Sequence, residues 1–357
     1  KKLILMRHDD RIRRLRELML DKKLDAVLIP SFDHSSPNLY YFTEYEDNGP
    51  NFHIITQDEE RLITWDYLRA KKESQVKDCT SILDSKISDF LKRRGLKNKK
   101  IGIDGNIRYT FILQLKKILP ELILEDIRDD LMNIRSIKED QEIEHIRNAC
   151  LASDRILREI KNGSPINNDL SLKHEINRKI VNAGKEWSFD TLVAGDENSS
   201  NIHYFPKNQH FKKIVLIDFG VKSSQYTSDV SRTFLLEKDS KAKKAMDTLI
   251  NLHSRLDDIL EPGINARDVA FFAKKILEKE GYEKTSYSNT HSLGHGVGLH
   301  EHEFPILSEK STHVLEKNMV FTLEPAIYFP GEFGIRLEDT VLMKGIGIQR
   351  LSRFPFE

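Results

Sequence analysis

Four acidic residues in the second half of this 357-residue chain stand where chemistry could be done. Asp218 closes the apolar run Ile214-Val215-Leu216-Ile217, and Asp229 follows it. Glu324 closes Met319-Val320-Phe321-Thr322-Leu323, and Glu338 follows in turn. Their neighbours are apolar, among them Phe219, Val230, Leu323 and Leu337. Burying an unpaired carboxylate costs several kcal/mol even after relaxation. The four must therefore lie at the surface, hold protons, pair with bases or bind metal. Two divalent cations would neutralise them almost completely. His295, set in Gly294-His295-Gly296-Val297-Gly298, offers one further ligand, with glycines that let the backbone press the imidazole inward. An oxygen-rich set with one nitrogen and no thiolate suits manganese, cobalt, iron or zinc. Paired ions about 3.5–4 Å apart are a common hydrolytic arrangement.

Such a set needs strands that end together. Residues 156–184 read as helix, the turn Asn162-Gly163-Ser164-Pro165-Ile166-Asn167, helix and glycine. Residues 259–281 read as a helix end, the turn Glu261-Pro262-Gly263-Ile264-Asn265, helix and glycine. Strands carrying one carboxylate pair follow each copy. Two similar halves packed about a pseudo-two-fold axis would bring the pairs together. Ahead of them, residues 11–22 have helical periodicity. A strand over 24–30 is stopped by Pro30, strands follow over 53–56 and 61–65, a helix over 82–94 and a strand over 100–103. Gly102 and Gly105 make no phosphate loop, since neither a third glycine nor a helix start follows. The expected fold is α/β (α+β): a small N-terminal mixed-sheet domain over 1–130, then a catalytic domain over 131–357. Ser136 with Glu139 reads as a capping box for the first long helix of the second part. The apolar stripe of that helix is Ile143, Ile146, Cys150, Ile156 and Leu157, ending at Gly163 before Pro165.

Composition narrows the function classes. Lys+Arg and Asp+Glu are 56 each, so the basic excess of a protein that coats nucleic acid or an anionic membrane is missing. The run Arg11-Ile12-Arg13-Arg14 is a helix face balanced by Asp9, Asp10 and Glu17. Two cysteines, Cys79 and Cys150, are too few for a disulfide framework or a thiolate zinc site and fit a reducing cytoplasm. No apolar run approaches the ~18 residues of a membrane span, and the run at residues 1–6 is too short for a signal peptide. A cytoplasmic protein with neither nucleic-acid nor membrane partner is expected.

The motifs carry a resemblance. Asp218-Phe219-Gly220 with Tyr226-Thr227-Ser228-Asp229-Val230-Ser231-Arg232-Thr233 resembles the first metal motif of the pita-bread metallopeptidases. Gly294-His295-Gly296-Val297-Gly298-Leu299, Glu324-Pro325-Ala326-Ile327-Tyr328 and Gly334-Ile335-Arg336-Leu337-Glu338-Asp339-Thr340 resemble the remaining motifs, in order. The extra N-terminal part resembles the creatinase-like domain of the prolidase and aminopeptidase P branch. The resemblance implies two divalent metal ions per subunit, manganese or cobalt first, with zinc or iron as alternatives. Asp218 would chelate the first metal, Glu324 and His295 the second, and Asp229 and Glu338 would bridge them. Glu324 counts also among the catalytic groups. His203 matches the histidine that assists proton transfer, and His302 the one that contacts the carbonyl oxygen, with His300 two residues away as the competing imidazole. His291 matches a histidine of the proline pocket and Arg336 a substrate-side arginine. Ile202, Ser231 and Ala326 depart from the proline, threonine and glycine of many relatives. The implied activity is cleavage before proline in Xaa-Pro dipeptides by a homodimer whose N-terminal domain helps close the site. Aminopeptidase P activity on longer peptides and a binding protein that has lost catalysis are the competing readings.

Each assignment has a plainer counterpart. One acidic residue after a strand is usually a solvated turn residue. His203 could be an incidental loop histidine and His291 a core one, while Arg336 could merely neutralise Glu338 or Asp339. His8, His34, His53, His145, His174, His210, His253 and His313 are read as ordinary surface or core residues.

Overall fold

The computed structural model describes residues 2–32, 36–84, 87–95 and 99–356, in two compact units, Lys1–Arg135 and Ser136–Glu357. His34 lies outside the described residues.

In the first unit six strands form a mixed sheet in the order Cys79–Ser81, Glu60–Thr64, Asn51–Ile55, Ala26–Ser31, Lys100–Ile103, Ile123–Asp126. All six residues of Ala26–Ser31 are buried, which is why this central strand reads as one apolar run. Pro30 does not stop it. It pairs with Phe52, beyond the parallel ladder to Lys100–Ile103, which engages only Ala26–Leu28. The first helix spans Lys2–Asp21, starting earlier than its apolar periodicity suggests, and the helix expected over 82–94 covers Ile87–Arg93. Two short helices escaped the periodicity argument, Pro37–Thr43 and Tyr67–Glu73. Each begins at a side-chain cap, Ser36 and Asp66 respectively, and at seven residues is too short to show a helical repeat.

The second unit repeats one plan. Helices Asp140–Lys161 and Asp169–Asn182 precede an antiparallel sheet of Val230–Leu235, Ile214–Phe219 and Leu192–Gly195. Helices Ser240–Ile259 and Ala266–Lys279 precede a five-stranded sheet in the order Glu303–Leu307, Gly294–Gly296, Val320–Leu323, Asp339–Met343, Ile348–Arg350. The second helix of each pair is followed by a glycine at positive φ, Gly184 at 66° and Gly281 at 85°, a conformation that a side chain resists. Ala242, Ala245, Met246, Leu249, Leu252 and Leu256 recur at helical spacing and join Leu323, Ile335 and Val341 in the main core.

The capping box sits one turn later than expected. Glu139 is the N-cap and Glu142 its partner, Glu139 N donating to Glu142 Oε2 at 2.9 Å. Ser136 instead ends the helix Arg128–Ser136, and Ile137 and Lys138 are occupied by backbone pairing with Met319 and Asn318. Cys79 and Cys150 are both free thiols. No helix among the described residues is long and apolar enough to cross a membrane.

Candidate metal centre

Strand register brings the carboxylates together. Ser231 pairs with Asp218, so both project from one face of the first sheet, and Asp229 two residues earlier shares it. In the second sheet Leu323 pairs with Asp339, so Glu324 and Glu338 stand one step beyond the same end of that ladder. His295 comes from Gly294–Gly296, where the register to Glu303–Leu307 shifts. A Cβ at Gly294 would collide with the Thr322 carbonyl, and one at Gly296 with that of Phe304, so glycines are what allow the imidazole this close.

The two sheets are stitched along a seam. Ser231 Oγ donates to Glu338 Oε2 at 2.6 Å, and Glu338 N donates to Ser231 O at 3.1 Å. From the separate hairpin of Ala326–Phe329 and Phe333–Arg336, between Glu324 and Glu338, Arg336 N donates to Thr233 Oγ1 at 3.1 Å. Thr340 Oγ1 donates to Asp229 O at 2.7 Å. The five expected ligands line one cavity of about 320 Å³, together with His203, His291, His302 and Arg336. Phe189, Leu192, Ile202 and Ile306 give that cavity an apolar wall.

The electrostatics are those of crowded negative charge. Burial, and then the charges of Glu338, Asp218 and Glu324, push Asp229 well above the usual carboxylate range. Burial with Glu324 and Asp218 does the same to Glu338. Asp218 is raised by burial despite its ion pair with Arg336. Glu324 goes the other way: burial opposes, but His295 at 3.3 Å, then His291 and Arg336, hold it at about 2. His295 is raised, the Glu324 hydrogen bond overcoming burial. Asp218 Oδ1 is buried with no hydrogen-bond partner, and ligand atoms of Asp229, His295 and Glu338 all lie within 4.8 Å of one another. An orphaned carboxylate oxygen, protons taken up where charge repels, and a compact O/N donor set are what a divalent-cation site requires. These residues fit one.

A pH dependence follows. An acid whose folded pKa is raised binds protons more tightly in the folded state, so its contribution falls as pH rises from the ordinary carboxylate value toward the raised one. Bound cations remove that penalty, and they also need deprotonated ligands. The gap in Tm between metal-loaded and chelator-treated protein is therefore expected to widen steadily from pH 5 to pH 8. Calorimetry of both forms measures it; a gap that narrows with pH would contradict the crowded-carboxylate account.

Around the ligands, the structure brings His302 rather than His300 to the cavity. The His302 ring lies 4.2 Å from that of His295, whereas His300 is 48% exposed and points its Nδ1 at its own turn. His302 keeps an exposed edge, but its ring is crowded into the cavity wall, and that partial desolvation with neighbouring His295 lowers it to about 4, so it is neutral near pH 7. His203 is exposed at the cavity rim, and the next residue is anchored where Tyr204 Oη donates to Asp169 Oδ2 at 2.8 Å.

His291 is less free than expected. Arg336 Nη1 donates to Tyr328 Oη at 2.9 Å, which leaves the tyrosine proton for His291 Nε2 at 3.0 Å. His291 Nδ1 then donates to Ser292 O at 2.7 Å. Both ring nitrogens are thus engaged within the wall. Arg336 is 3% exposed and neutralises Asp218 rather than Glu338 or Asp339. Its Nε also donates to Ser231 Oγ at 2.9 Å, while Asp339 pairs with Arg232 at 2.6 Å. Tyr328 and Ser231 went unread as site residues because uncharged strand residues give no compositional sign. Ser231 keeps the hydroxyl that a threonine would supply.

Residues 144–345 match Metallopeptidase family M24, and residues 11–137 match the Creatinase/Prolidase N-terminal domain. An Xaa-Pro dipeptidase from Pyrococcus horikoshii is 31% identical over 355 residues, 97% of each chain. Among solved structures, the prolidase from Pyrococcus horikoshii matches with a TM-score of 0.88 at 28% identity, covering 98% of this chain and 99% of that one. The X-Pro aminopeptidase from Thermotoga maritima matches with a TM-score of 0.83 at 26% identity, covering 96% and 98%.

Proposed function

Because this chain belongs to metallopeptidase family M24, we propose that it hydrolyses the peptide bond preceding proline, with Xaa-Pro dipeptides as substrates. The observation that carries the reading is the convergence of Asp218, Asp229, His295, Glu324 and Glu338 on one cavity. We assign Asp218 to one cation, His295 and Glu324 to a second, and Asp229 and Glu338 to both, with manganese or cobalt as the metals. When bound, two such ions supply Lewis acidity at the scissile carbonyl and a water acidified toward neutral pH.

The chain's own residues do the rest. His302, neutral at working pH, is suited to donate a hydrogen bond to the carbonyl oxygen as charge develops there. His203, at the rim, is assigned to deliver a proton to the proline nitrogen, a tertiary amine once the carbonyl carbon is tetrahedral, which leaves poorly unless protonated. Arg336 and Tyr328 hold Asp218 and His291 in place. The apolar wall of Phe189, Leu192, Ile202 and Ile306 supports apolar Xaa side chains. The free thiols fit the cytoplasm, and a homodimer is the assembly the family resemblance implies.

Dipeptide preference has its own test. Arg336, His291 and His302 are the basic groups on the cavity wall that a proline carboxylate would meet. A hydrogen bond to a charged acceptor exceeds a neutral one by about 1 kcal/mol. Leu-Pro is therefore expected to exceed Leu-Pro amide and Leu-Pro-Gly by about fivefold in kcat/KM, assayed with added manganese or cobalt. Comparable values for the three would move the assignment to an aminopeptidase acting on longer peptides.

A further inference from the structure

His302 sits on a stretch that no regular element holds. Residues 297–302 lie between the strands Gly294–Gly296 and Glu303–Leu307, and the His302 side chain is exposed. What fixes them is underneath. Glu303 Oε1 accepts the backbone N–H of His300 at 3.0 Å, closing the turn from inside. Its other oxygen meets Lys138 Nζ at 3.1 Å, with both side chains 1% exposed. The carboxylate presses so closely on Gly298 that a Cβ there would strike it. Gly298 O in turn accepts from Thr227 N at 2.8 Å, two residues before Asp229.

Lys138 is itself pinned. Its N–H donates to Asn318 O at 3.0 Å, and Ile137 bridges Met319, immediately before the strand Val320–Leu323 that delivers Glu324. One lysine thus ties the turn carrying His302 to the strand carrying a metal ligand.

We propose that Glu303, buried beside Lys138, is a positioning residue whose hydrogen bond to the His300 amide holds His302 over the metal centre. A buried ion pair adds little net stability, and exchanging both partners for neutral residues of similar volume is often tolerated. The hydrogen bond, by contrast, decides where the turn stands. Misplacing a reacting group by about 1 Å can cost ~10²-fold in rate. The rate argument rests on the hydrolytic reading above, in which His302 touches the substrate carbonyl.

Two double variants separate placement from stability. Lys138→Met with Glu303→Gln removes the charges but keeps an acceptor for His300. Lys138→Met with Glu303→Met removes the acceptor too. Both are expected to fold with similar Tm and to bind metal as the parent does. The first should keep kcat within about tenfold of the parent, while the second loses ~10²-fold in kcat with KM changed far less. Hydrogen exchange at the His300 amide, read without any substrate, should stay slow in the first and become fast in the second. Equal kcat and equal exchange in the two variants would overturn the proposal. If either fails to fold, the single variant Glu303→Gln with parent-like His300 exchange supports it, and fast exchange there sinks it. A parent that does not cleave Xaa-Pro substrates at all would refute the hydrolytic reading and leave the exchange result to decide the clamp.

Discussion

Asp229→Ala and Glu338→Ala are expected to lose ~10³-fold or more of kcat/KM, the several kcal/mol that bound cations contribute to a hydrolytic transition state. Both are buried, both have ligand atoms beside those of His295, and burial with neighbouring carboxylates pushes both well above the usual carboxylate range. A residue assigned to two ions cannot be removed without under-coordinating each. Metal analysis should find both variants depleted. The repulsion adds a signature that unfolding would not give. Metal-free Asp229→Ala should melt at or above the temperature of the metal-free parent near pH 8, because one crowded carboxylate is gone. Activity would vanish while the chelated fold gains. Chelation of the parent should likewise abolish turnover, with manganese or cobalt restoring it. Full activity in a parent stripped of metal, with the empty site verified by elemental analysis, would end the dinuclear reading.

His302→Ala should lose ~10²–10⁴-fold in kcat, the usual contribution of a positioned acid or base, while its metal content and fold stay those of the parent. His203→Ala should follow the same pattern. Neither is assigned as a ligand, and both side chains are exposed at the cavity, so truncation leaves no large void. His300→Ala is the comparison and is expected to lose far less: its ring lies 6.4 Å from that of His302, does not line the cavity, and only accepts the His302 amide through Nδ1 at 3.1 Å. Kinetics paired with metal stoichiometry decides between the roles. A metal-free His302→Ala protein would make it a ligand, and a crippled His300→Ala protein would transfer the role by two residues.

How much of this was legible follows from what kind of signal each feature leaves. Asp218, Asp229, Glu324 and Glu338 were readable because charge beside buried strands is costly and demands a reason. The duplicated plan was readable from two helix–turn–helix–glycine runs, since Gly184 and Gly281 occupy backbone conformations that other residues resist. Arg336 was read as a substrate-side arginine, with Glu338 or Asp339 as its plainer partners; its pairing with Asp218, 118 residues away, left no local sign because partner choice depends on which strands meet. The capping box slipped by three residues because Glu139-Asp140-Gln141-Glu142 offers a second box, and only the pairing of Ile137 with Met319 selects it. The engagement of His291 was invisible, since the tyrosine responsible reads as an ordinary strand residue.

The stitched seam between the two sheets also governs time. Because the Ser231 carbonyl, Thr233 and Thr340 tie the acidic strands together through backbone atoms rather than through the ligand atoms, receiving an ion should need no folding step. The speed of metal uptake should then belong to the ion rather than to the chain. Cations that exchange their hydration water quickly would load quickly, and a slow exchanger such as magnesium would lag whatever its affinity. In mixed-metal solution, the first occupant would be chosen by the lability of its water shell and only later replaced according to the depth of its binding.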